Sequence, residues 1–157
     1  VLLAGLLYSG VANPIRGTVS TQQVVAQQVK LPPGESVAVT HIGCPSNDGG
    51  FSITGTFQSD RGFEGWGIES SNFSVWLYAN GYFAVNHGDR IEFIHLRPET
   101  NTLSLTFEAA NRVRVWLNAE VAWSGTIEHC TGFTLLAKGG LQQTTLYFDR
   151  AVFYNAN

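Results

Sequence analysis

From residue 35 onward the chain is a succession of short runs in which apolar and polar residues alternate, separated by glycine, asparagine, aspartate and proline. A period of two places successive side chains on opposite faces of an extended strand. No stretch carries the 3.6-residue apolar period of a long amphipathic helix. FSITGTF sets Phe51, Ile53, Gly55 and Phe57 against Ser52, Thr54 and Thr56. NTLSLTF does the same with Leu103, Leu105 and Phe107, and RVRVWL opposes Val113, Val115 and Leu117 to Arg112, Arg114 and Trp116. SVAVTHI groups Val37, Val39 and His41 on one face. In SVWLYANGYFAVNH two apolar runs flank Asn80-Gly81, a pair suited to the positive φ angles of a type I′ turn, which predicts a β-hairpin. RIEFIHL, VAWSG, FTLLAKGG and TTLYFDRAVFYN bring the total to nine or more strands at spacings of about 8–12 residues, the pattern of a sandwich or barrel. The expected fold is all-β, a two-sheet antiparallel jelly-roll sandwich.

The 157 residues suit one domain with a sizeable core. Pro32-Pro33-Gly34 breaks the chain, dividing an N-terminal arm or linker, 1–34, from a β-sandwich domain, 35–157. The arm opens on VLLAGLLYSGVA, apolar but shorter than the roughly 20 residues a membrane span needs. It reads either as an arm that packs on something else or as a leftover leader. The chain has no methionine and begins at Val1, which suggests processing or a piece of something longer. Only 13% of residues are charged and the net charge is −3, with no basic run to track phosphates, which argues against nucleic-acid binding. Low charge with many aromatics suits a domain that meets protein surfaces or sugars. Cys44 and Cys130 either form the one disulfide they can form or remain two buried thiols. No CxxC or zinc spacing occurs.

Residues from about 51 to 157 resemble the laminin G-like, concanavalin A-like jelly roll. The likeness rests on FSITGTF, NTLSLTFE, RVRVWLNAEVAWSG, FTLLAKGG and LYFDRAVFYN, with Ala119 where the pattern more often has glycine. VSTQQVVAQQVKLP resembles junction segments of bacteriophage virion proteins. Together these resemblances imply a non-enzymatic virion or surface protein, used in assembly or decoration of a larger particle, with protein subunits as partners, a homo-oligomeric state, and a location on a virion or cell surface. The alternative is a glycan- or receptor-binding adhesion module, and a second is a glycoside hydrolase-related domain.

The residues that bear on these alternatives are few. Glycoside hydrolysis needs two facing carboxyl groups about 5–9 Å apart. No Glu-x-Asp-x-x-Glu run supplies them, and Glu64, Glu69, Glu92 and Glu108 are scattered. No G-x-S-x-G elbow is present, and His41, His87 and His95 are read as strand or turn residues. No cofactor is expected, with calcium the exception: the resemblance implies a rim site, for which Asn47 and Asp48 in a Gly-rich loop are the candidates. A glycan site would stack an exposed ring on a sugar face. Trp66, read as a loop residue in RGFEGWG, is the first choice, with Arg61, Asn80, Tyr78 and Tyr82 as companions. Asn72-Phe73-Ser74 is a glycosylation sequon.

Overall fold

The computed structural model describes residues 27–58, 62–87, 90–95 and 100–154. In chain order the strands are β1 (Gln27–Leu31), β2 (Ser36–Ile42), β3 (Gly50–Phe57), β4 (Gly65–Ser70), β5 (Phe73–Tyr78), β6 (Tyr82–His87), β7 (Arg90–His95), β8 (Thr100–Glu108), β9 (Arg112–Leu117), β10 (Glu120–Thr126), β11 (Phe133–Lys138) and β12 (Thr144–Tyr154). They form two six-stranded sheets, β1-β12-β3-β8-β9-β10 and β2-β11-β4-β5-β6-β7, and every pairing is antiparallel. The chain crosses repeatedly from one sheet to the other, as a jelly roll does.

The alternating runs meet between the sheets. Phe51, Ile53, Leu103, Leu105 and Val115 of the first sheet are buried against Ile68, Val75, Leu77, Phe83 and Leu135 of the second. Each fully buried side chain of this size stabilises the fold by about 1.5–3 kcal/mol. Phe133 sits at an aromatic junction, its ring centre 5.5 Å from Phe51, 6.0 Å from Phe107 and 6.4 Å from Phe73. The outer face of the first sheet is closed on itself by cross-strand hydroxyl pairs in register: Ser52–Ser104 at 2.7 Å, Thr54–Thr102 at 2.9 Å and Thr56–Thr100 at 2.9 Å. Among the described residues no helix is long and apolar enough to cross a membrane.

Three expectations change in detail. The expected arm, 1–34, ends earlier than the Pro-Pro-Gly break: Gln27–Leu31 pairs with β12, and Val29 and Leu31 are core residues. The sandwich therefore begins before the Pro-Pro-Gly break, while residues 1–26 lie outside the described residues. His41 does not share a face with Val37 and Val39. A register shift where β11 meets β2 changes the phase, so Ile42 is buried and His41 exposed. Asn80-Gly81 does turn a hairpin, but only Gly81 has a positive φ, 97°. Its N–H donates to the Tyr78 carbonyl at 3.0 Å, giving a three-residue loop in place of a type I′ turn. The positive-φ pair lies instead at Asn118 (50°) and Ala119 (73°), between β9 and β10. Asn118 anchors that turn: its Oδ1 accepts from the Thr102 N–H at 2.8 Å and its Nδ2 donates to Asn101 Oδ1 at 2.9 Å.

Cys44 and Cys130 are joined by a disulfide, which ties the β2–β3 loop to the β10–β11 loop. Asn47 and Asp48 sit exposed in the first of these loops. Asp48 has φ 65°, and its N–H donates to the Phe107 carbonyl at 2.6 Å, so a turn locked onto β8 accounts for the residue there. Among the described residues no three His, Cys, Asp or Glu side chains converge to hold a metal.

Candidate functional site

The outer face of the second sheet carries aromatic rings. In β5, Phe73, Val75 and Leu77 point inward, so the alternation turns Ser74, Trp76 and Tyr78 outward. Across the β4 border these three oppose Glu69, Gly67 and Gly65. The glycines decide how the rings lie. A methyl group at Gly67 would come within 2.9 Å of Trp76 Cδ2, and one at Gly65 within 2.8 Å of Tyr78 Cδ1. Both rings therefore lean across the bare backbone of β4 rather than standing up from the sheet. Their centres are 6.1 Å apart and their planes lie within 21° of parallel.

Glu69 holds this arrangement from one side, its Oε1 accepting from Trp76 Nε1 at 3.0 Å. Tyr78 sits deeper. Burial of its ring, and then the negative charge of Glu69, raise its pKa above the ordinary 10.0, so the phenol remains neutral and can both donate and accept. The flanking strands keep the surface low. Ala84 of β6 lies opposite Trp76, and Leu136 of β11 lies opposite Gly67. Polar groups rim the rings: Asn86 in β6 opposite Ser74, Thr134 in β11 opposite Glu69, and Lys138 opposite Gly65. Tyr82, 56% exposed, begins β6 beside the hairpin loop.

The residues singled out in the sequence divide between this face and other places. Tyr78 and Tyr82 belong to it. Asn80 lies in the adjoining loop, where its Oδ1 accepts from the Tyr82 N–H at 3.3 Å. Arg61 lies outside the described residues. Trp66 is corrected: it is a strand residue, fully buried, with its ring edge-on to Phe148 at 5.5 Å and its Nε1 without a hydrogen-bond partner among the described residues. It cannot stack on anything at the surface. The central ring, Trp76, and its partner Glu69 were not among the candidates. The signal for Trp76 was in FSVWLY, where the residues alternating with Phe73, Val75 and Leu77 include two rings. Asn47 and Asp48 fall at the opposite end of the sandwich, beyond Ile42, whereas Tyr78 aligns with Gly65 and Lys138.

No protein-family model matches this sequence, and no curated protein does. Solved structures do match the fold. A Bacillus licheniformis β-glucanase superposes with a TM-score of 0.58 at 7% identity, covering 84% of this chain and 79% of that one. A structure reported for endo-acting O-glycanases of the human gut microbiota gives 0.60 at 8% identity, covering 94% and 88%. A Caenorhabditis elegans galectin gives 0.50 at 10% identity, covering 82% and 96%. The chain is thus a concanavalin A-like jelly-roll sandwich. These structures lend no support to a virion origin or to the laminin G likeness.

Proposed function

We propose that this protein is a carbohydrate-binding module that holds a glycan chain on the outer face of its second sheet. The observation that carries the reading is the Trp76–Tyr78 platform laid over Gly67 and Gly65. A pyranose has an apolar face of C–H groups that covers an aromatic ring, and a rim of hydroxyls that bonds to carboxylates and amides. Two near-parallel rings edged by Glu69, Asn86 and Lys138 supply both parts. The names of the fold neighbours, a β-glucanase and a galectin, point to the same class of ligand.

Binding is favoured over cleavage. Cleavage uses an acid and a second carboxylate about 5–9.5 Å apart. On the β4, β5, β6 and β11 positions that line the platform, Glu69 is the one carboxylate, and it is occupied with the Trp76 indole. The disulfide supports an oxidising, extracellular setting. The particle-decoration reading drew on the N-terminal arm, most of which lies outside the described residues, and no observation on the fold favours it.

The test is a glycan array followed by titration of the best ligand against Trp76→Ala. Covering one ring removes about 80 Å² from water, worth about 2 kcal/mol at ~25 cal/mol per Å². The variant should therefore bind about 30-fold more weakly. No array hit, or unchanged affinity in the variant, would overturn the proposal.

A further inference from the structure

At the Gly65 end of the sandwich, the segments 62–64 and 141–144 and residue Gln58 surround a cavity of about 510 Å³. That is within the size range of small-molecule sites. Glu64 lines it while being only 5% exposed. Among the described residues no hydrogen bond or ion pair reaches its carboxylate. Among the described residues Trp66 Nε1 is the one buried side-chain polar atom left without a partner, so the Glu64 carboxylate is not sealed in but reaches the cavity it lines.

Two glycines make room for this group. A methyl group at Gly62 would fall on the Glu64 carboxylate, and one at Gly140 would come within 3.2 Å of its Oε2 and 2.9 Å of the Glu64 N. Neither glycine has a positive φ, so the backbone does not call for glycine at these positions; the space does. Gln58 is fixed at the wall, its Oε1 accepting from the Thr145 N–H at 3.0 Å, which leaves its amide NH₂ as a donor. Gln142 adds a second amide to the lining. Phe63 (58% exposed) and Leu141 (79% exposed) supply large apolar groups to the same lining.

We infer that this cavity is a second saccharide site, separate from the sheet face, that takes a single pyranose. The Glu64 carboxylate accepts from two neighbouring hydroxyls, the Gln58 and Gln142 amides bond to others, and the Phe63 ring covers the C–H face. The inference shares its ligand class with the sheet-face reading but none of its residues, so different variants test the two.

The experiment is a ¹H–¹⁵N NMR titration of the full chain with the methyl glycosides of glucose, galactose and N-acetylglucosamine, up to about 50 mM, the range of weak single-sugar affinities. At least one should shift the amides of Gly62, Phe63, Gly140 and Leu141. Glu64→Gln should weaken that binding by roughly tenfold or more, Phe63→Ala should weaken it too, and Trp76→Ala should leave it unchanged. The inference is overturned if no sugar moves these amides, or if the shifts persist undiminished in both cavity variants. It is equally overturned if n-butylammonium binds there and the sugars do not. Phe63 is exposed, so its variant decides the matter even if Glu64→Gln fails to fold. Failure of the sheet-face reading looks different: array-selected glycan binding that survives Trp76→Ala.

Discussion

Gly67 is the position where one added methyl group tests both the packing and the platform. Its neighbours leave no space. A Cβ there would contact the Val75 carbonyl oxygen, stand 3.0 Å from Trp76 Cα and stand 2.9 Å from Trp76 Cδ2. Ordinary carbon contacts lie near 3.5–4.0 Å, so the ring must move by more than half an ångström and the β4–β5 backbone must adjust with it. Overpacking of this kind costs about 1–3 kcal/mol. For a domain of this length each kcal/mol lowers Tm by about 2–4 °C, so Gly67→Ala should melt about 4–8 °C below the parent for a cost near 2 kcal/mol. Gly43→Ala is the control, because nothing lies within 4 Å of its added Cβ. It should be neutral, or stabilising by about 0.4–1 kcal/mol through the unfolded chain. The assay is thermal unfolding followed by near-ultraviolet circular dichroism, which reports melting and the setting of the indoles together. If Gly67→Ala melts with the control and keeps the parent's aromatic signal, Trp76 does not lie across Gly67 and the platform argument falls with it.

Ala119, at φ 73°, adopts a left-handed conformation that costs an L-residue about 1–2 kcal/mol, against the roughly 0.5–1 kcal/mol that glycine loses in entropy. Ala119→Gly should raise the urea midpoint by the equivalent of about 0.5–1 kcal/mol with the slope unchanged, and a lowered midpoint would contradict the assigned turn. The Cys44–Cys130 bond spans a sequence separation of 86. Its reduction should cost about 4 kcal/mol in urea titrations with and without reductant; equal stability in the two would show that the bond does not constrain the unfolded chain. Tyr78 has a pKa raised above 10.0 by burial and by Glu69, so the folded state holds that proton to higher pH than the unfolded state does. Its contribution is fully present below pH 10 and declines as pH rises through the folded value. Tyr78→Phe should lack this decline, and parallel alkaline profiles for the two proteins would refute the burial assignment.

What the sequence determined by itself is the local alternation. FSITGTF, NTLSLTF and RVRVWL each carry their inward and outward faces in six or seven residues, because the pleat alone sets that period. The hairpin at Asn80-Gly81 was equally legible, since a turn between two apolar runs is a local event. Tertiary structure decided everything that depends on which strands are neighbours. Gly65-Trp66-Gly67, the start of β4, reads as part of the loop RGFEGWG because glycine fills its outward positions, and glycine marks neither a wet face nor a dry one. Only its register with β5 shows that Gly65 and Gly67 are bare because Tyr78 and Trp76 lie over them. The same register buried Trp66, the ring expected to bind, and exposed Trp76, the ring passed over: alternation says that two side chains face apart, but not which of those faces meets the other sheet. Gln27–Leu31 became an edge strand only by pairing with β12, at the far end of the chain. The disulfide, too, needed the fold, since the ends of β2 and β10 come together through contacts no local stretch of sequence contains.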